Sequence, residues 1–131
     1  MAEASKEVKI VLSINAIIAL VYGFMYMIIP DVTNKLADGP YYNPHFYQLF
    51  GATCFTLAIV ALLGVKRGEW EDIKIIVELA IIWLILILIV NLWSFAYMPY
   101  SATAIASQAF DIIVVIIIII ADIWVYLRES K

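Results

Sequence analysis

The chain has 131 residues, of which 66% are hydrophobic and 15% charged, with a formal net charge of −3. A soluble domain averages about 45–50% apolar and about 25% charged residues, so this chain lacks the polar surface to cover its apolar mass in water. That excludes disorder, a collagen-like repeat, a disulfide scaffold and a free cytosolic enzyme, and points to an integral membrane protein; the acidic balance offers no basic surface to nucleic acid.

A bilayer core of about 30 Å needs roughly 20 apolar residues of helix. Four segments meet that length, at about 8–29, 46–65, 73–96 and 104–127. Each is expected to be helical, because lipid offers no partner for backbone amides; the same need overrides the strand preference of the β-branched run 112–120. The first span is expected to stop at Pro30 and Asp31 and to be retained. Its apolar part exceeds the usual length of about 7–15 residues in a signal peptide, no A-x-A site follows, and three more spans do. Pro40 and Pro44 punctuate the first loop, and Asn43-Pro44 fits the entry to the second helix. Gly64 and Gly68 bracket the turn at Lys66 and Arg67. Pro99 ends the third span, and Ser101 or Thr103 is placed to cap the fourth.

Seven of the eight Lys and Arg lie in the two tails or around the middle turn, and only Lys35 lies in the first loop. The positive-inside bias therefore predicts cytoplasmic termini. The short second and third connections predict antiparallel neighbours. The expected fold is an all-α membrane protein: one domain over 1–131, an up-down-up-down four-helix transmembrane bundle with both termini cytoplasmic. Tyr26, Tyr41, Tyr42, Phe46, Tyr47, Tyr97 and Tyr100 are expected in an outer aromatic belt, and Trp70, Trp124 and Tyr126 in an inner one.

Ionisable side chains in a span cost about 2.5–3.5 kcal/mol near the centre and are functional candidates by default. Glu78, Asp111 and Asp122 qualify. At about 100° per residue, Gln108, Asp111, Val115, Ile118 and Asp122 form one stripe, expected to face the bundle interior while the remaining Ile and Val face lipid. By depth, Asp111 groups with Asn91, Gln48 and Tyr22, with His45 just above at the outer interface, and Asp122 groups with Glu78 and Asn15. Ala80, Trp83, Ile87, Asn91 and Ser94 form a stripe on the third span. Glu78 lies nearly opposite, free to reach water or Lys74. Small residues permit close helix approach, so Ala16, Ala19 and Gly23 are expected to meet Gly51, Cys54, Ala58 and Ala61 in a seam between the first two spans. Cys54, the lone cysteine, reads as a small buried hydrophobe.

Each polar group has a structural reading beside the functional one. Asp111 with Asn91 and Gln48 is interhelical glue or the wall of a polar cavity. Glu78 is a snorkelling interface carboxylate or part of a pathway. His45 is an amphipathic anchor or, with Asp111, a relay. One interfacial His is too few for a metal or haem site without another subunit, and no Ser/His/Asp set, HExxH or Gly-rich phosphate loop occurs. The expected pocket is an outward-facing cleft lined by Tyr22, Gln48, Asn91, Trp93, Asp111 and nearby tyrosines.

Two segments, 22–30 (YGFMYMIIP) and 46–52 (FYQLFGA) with Gly64 closing that helix, resemble the small four-span families grouped around DoxX. The resemblance implies a four-helix bundle, and some members accompany membrane redox complexes. Gln48 stands where members often carry Arg shortly before the Gly of the second span.

Three functions compete at this level. One is a non-enzymatic subunit or self-associating bundle, partnered by lipid and by further copies or other membrane subunits in the cell membrane. A second is a proton or small-cation transporter or channel using Asp111 and Asp122. The third is a binder of a small lipophile or redox cofactor in the outer cleft. No particular cofactor is indicated.

Overall fold

The computed structural model describes residues 2–131 and is all-helical. The first long helix runs as α1 (Lys6–Gly23) and continues through a π-helical turn, Phe24–Ile28. A short α2 (Pro30–Ala37) follows, then α3 (Pro44–Arg67), α4 (Trp70–Tyr97) and α5 (Ala102–Glu129). Four helical stretches are long and apolar enough to cross a membrane: Lys6–Ile28, Pro44–Arg67, Trp70–Tyr97 and Ala102–Glu129, with mean hydropathy of 2.0, 2.0, 3.0 and 2.7. The run 112–120 is helical throughout.

The ends of these helices follow local chemistry. Ser5 Oγ accepts from the Val8 N–H at 3.3 Å, Asn43 Oδ1 from the His45 N–H at 3.0 Å, and Ser101 Oγ from the Ala104 N–H at 3.1 Å. Each side chain satisfies a donor that the first helical turn leaves free. Gly68 closes α3 in the left-handed region, at φ 79°.

Pro30 does more than end the first span. It occupies the first position of α2, with Asp31 in the opening turn and Lys35 in the last, both favourable to the helix dipole. The preceding residue, Ile29, leaves the helical region (φ −124°, ψ 49°), and the chain turns a corner. The buried Thr33 hydroxyl fastens that corner by donating to the carbonyls of Met25 (2.5 Å) and Ile29 (3.0 Å). On its other side α2 is tied to the start of α3. The Tyr47 hydroxyl donates to Asn34 Oδ1 at 3.1 Å, and Tyr42 donates to Asp31.

α1 packs most extensively on α3, and contacts between α3 and α4, α4 and α5, and α5 and α1 complete a ring of four long helices. The α1–α3 seam is built from small residues: Ala16 and Ala58 are fully buried and Cys54 nearly so. A side chain on Gly23 would press on the Phe55 ring, and one on Gly51 would overlap Met27.

The main apolar core (Val8, Leu12, Trp70, Ile73, Val77 and Val125 with three alanines) sits where the start of α1, the α3–α4 turn and the last turns of α5 meet. The backbone is clasped there as well. Ala4 N–H donates to Gly68 O at 2.8 Å, Trp70 N–H to Ala2 O at 3.1 Å, and Ser5 N–H to Glu129 Oε2 at 3.2 Å. Arg128 pairs with Glu7 at 3.2 Å and Lys9 with Glu3 at 2.6 Å.

Aromatic placement departs from the expected belts in three places. Tyr41, Phe46 and Tyr97 are exposed, but Tyr26 and Tyr47 turn inward and pack on each other at 5.1 Å. Trp70 packs inside the core, 6.0 Å from the Tyr126 ring. Trp124 stays outside, beneath the Arg128 guanidinium.

Candidate functional site

α5 separates its two faces by the helical period. Ile113, Ile117 and Ile120 are 57%, 60% and 63% exposed, whereas Asp122 is 1% exposed. The outward isoleucines form an apolar surface suited to hydrocarbon, and the polar stripe looks toward the other helices.

Both aspartates of α5 are held by α1. The Tyr22 hydroxyl donates to Asp111 Oδ1 at 2.6 Å, and Asn15 Nδ2 donates to Asp122 Oδ1 at 2.6 Å. Tyr22 and Asn15 are seven residues apart, two helical turns, so one face of α1 serves both acids. Asp122 Oδ2 is buried without a hydrogen-bond partner among the described residues.

Between the four long helices lies a cavity of about 330 Å³. Asn15, Tyr22 and Tyr26 line it from the first span, and Phe50, Cys54 and Leu57 from α3. Trp83, Ile87 and Asn91 line it from α4, and Gln108, Asp111, Val115 and Ile118 from α5. The rings make a connected wall. Tyr22 stacks on Tyr26 (6.1 Å, 7°), Tyr26 meets the edge of Phe50 (4.9 Å), and Phe50 stacks on Trp83 (6.0 Å, 14°). A second, smaller hollow of about 140 Å³ lies toward α2 and the α4–α5 loop, bounded by Gly39, Pro40, Tyr47, Met98 and Tyr100. It shares Tyr26, Gln108 and Asp111 with the first, so Asp111 stands where the two spaces meet.

The structure thus gathers Tyr22, Asn91, Gln108 and Asp111 around one space and leaves other candidates outside it. Gln48 is exposed on α3 and does not line the cavity, because it stands two residues, about 200° of helix, from the lining Phe50. Trp93, expected in the cleft, is 69% exposed for the same reason, two residues past Asn91. His45 is exposed in the first turn of α3 beside Phe46, with no bond to Asp111. Glu78 lies off the cavity and accepts from the Tyr126 hydroxyl at 2.7 Å rather than reaching Lys74. Asp122 lies behind the cavity, linked to it through Asn15. Tyr26 is one of the tyrosines expected near Tyr22, four residues on; sequence reasoning missed Phe50 as a wall residue, and its spacing of four residues from Cys54 is the signal that places it on that face. Among the described residues no group of three or more His, Cys, Asp or Glu is placed to hold a metal ion.

The class these features define is a small helical protein with four candidate membrane spans around an apolar cavity that carries one carboxylate at its polar end. The chain belongs to the family described as "Domain of unknown function (DUF8292)", whose model matches residues 1–124. That match brings no link to the DoxX-like group. No curated protein and no solved structure matches the chain.

Proposed function

We propose that this chain is a multi-pass protein of the cell membrane, an up-down-up-down bundle with cytoplasmic termini, and that it binds a small lipophilic molecule in its interior. The orientation rests on the Lys and Arg distribution. The topology is supported by the clasp that brings the N-terminal segment, the α3–α4 turn and the end of α5 together.

The observation that carries the binding role is the cavity of about 330 Å³ where a bundle of this size would place packed side chains. The space is mostly apolar and partly open, so an apolar occupant covers wall surface that the helices leave unpacked, and the few convergent polar groups orient it. Self-association has less to draw on, because the small-residue faces of α1 and α3 meet each other within one chain.

The test is chemical. The protein is purified in lipid nanodiscs alongside Ala80→Phe, which fills the cavity from α4, and organic extracts are compared by mass spectrometry. A lipophile present near one per wild-type chain and depleted in Ala80→Phe is the expected result. Identical extracts overturn the proposal.

A second reading, passage of protons or small cations, draws on Asp111 at the junction of the two spaces and on the unpartnered Oδ2 of Asp122. Proteoliposome flux that is unchanged in Asp111→Asn and Asp122→Asn removes it.

A further inference from the structure

Asp111 presents a problem of charge that its protein surroundings leave unsolved. Among the described residues its one side-chain partner is the neutral hydroxyl of Tyr22, and no Lys, Arg or His lines the cavity or the smaller hollow above it. A carboxylate in such a setting pays for desolvation without a countercharge. The Tyr22 bond uses Oδ1 as an acceptor, which leaves further acceptor capacity on the same carboxylate facing the shared space.

The wall beside it has matching character. The rings of Tyr22, Tyr26, Phe50 and Trp83 run in contact from the Asp111 bond into the apolar part of the cavity. Aromatic faces carry negative quadrupole charge and attract cations, most strongly where water is excluded. An anionic occupant meets repulsion from Asp111. An ionised Asp111 offers a neutral carbonyl compound only lone pairs, and a neutral hydroxyl or amide donor bonds to it without supplying the missing countercharge. A cation with an apolar body satisfies the carboxylate, the rings and the apolar floor together.

We infer that the occupant is a lipophilic organic cation, an ammonium or related onium compound, with its charge at Asp111 and its body against the aromatic wall. This rests on the cavity-binding reading and names its ligand class. The smaller hollow, which shares Tyr26, Gln108 and Asp111, gives the charged end a polar approach from the side of α2.

The experiment uses an isosteric pair: benzyltrimethylammonium, and neopentylbenzene, in which carbon replaces the charged nitrogen. Binding to the full chain in nanodiscs is followed by the indole resonances of the tryptophans. Trp83 lines the cavity and reports occupancy, whereas Trp93 and Trp124, 69% and 51% exposed, report partition into the bilayer. Both probes are expected to shift Trp83. Asp111→Asn, which keeps an acceptor for Tyr22, is expected to weaken the cation at least about tenfold and neopentylbenzene less than about twofold. Phe50→Leu, which removes a ring and keeps apolar volume, is expected to weaken the cation about two- to fivefold. Cation binding unchanged in Asp111→Asn, or a wild-type preference for neopentylbenzene, overturns the cation assignment and leaves the cavity reading standing. Failure of both probes to shift Trp83 overturns the two together.

Discussion

At Gly51 the backbone of α3 lies directly against Met27 of the first span, and replacing it by alanine measures how rigid that approach is. A Cβ there would lie 2.5 Å from Met27 N, 2.7 Å from Met27 Cβ and 2.9 Å from Met27 Cα. These atoms are backbone or the root of a side chain, so relief requires the π-helical turn or the whole seam to move. Gly64 on the same helix supplies the control: its added Cβ would meet the terminal methyls of Ile76 at 2.8 Å and Leu12 at 3.3 Å, which rotate away. Alanine in a helix gains about 1 kcal/mol over glycine at either position. Overpacking against a rigid neighbour costs about 1–3 kcal/mol, and against a flexible one much less. Gly51→Ala is therefore expected to be less stable than Gly64→Ala by about 2 kcal/mol. The measurement is equilibrium unfolding in mixed micelles by increasing mole fraction of denaturing detergent, followed by circular dichroism. Equal stabilities, or a more stable Gly51→Ala, refute a rigid contact at Met27.

Other expectations follow from single contacts. Asn15→Leu strips the remaining partner from the buried Asp122 and is expected to destabilise by about 1–3 kcal/mol, whereas Asn15→Leu combined with Asp122→Leu costs less than the sum of the two singles. The same unfolding assay reads this cycle, and strict additivity argues against a coupled pair. Thr33→Val removes the hydroxyl donor to the Met25 and Ile29 carbonyls, leaving Ile29 its bond from the residue 33 N–H, and is expected to cost about 1 kcal/mol and to raise amide exchange in α2; unchanged exchange counts against the corner as a fastening. Tyr42 lies outside the spans. Desolvation and donation to Asp31 push its phenol up to about 12, so this contribution to stability is complete below the ordinary value near 10 and is lost as pH rises through about 12. In Asp31→Asn the Tyr42 phenolate transition, identified by its loss in Tyr42→Phe, is expected to fall in pH, and an unmoved transition contradicts the assignment.

The α5 stripe was legible in sequence because Asp111 and Asp122 differ so sharply from the isoleucines around them that the helical period shows through. The α1–α3 seam was legible because only small residues let two backbones approach. Gln48 and Trp93 were misplaced by matching depth without azimuth: position along a helix axis constrains which residues share a level, but two residues of offset turns a side chain through about 200°. α2 was hidden by Pro30, whose role as a stop for one helix and first residue of the next is the same chemistry, a missing N–H and a preset φ, read in two directions. The polar end of the cavity was legible in the shared depth of Tyr22, Asn91 and Asp111, but its extent was not, since the space left among four helices depends on the fit of all their side chains at once.

The clasp and the apolar core occupy the same end of the molecule, and Asp111 with its hollow lies toward the other. Asp111 therefore opens, through the smaller hollow, toward the face formed by α2 and the α4–α5 loop, on the side of the molecule away from both tails.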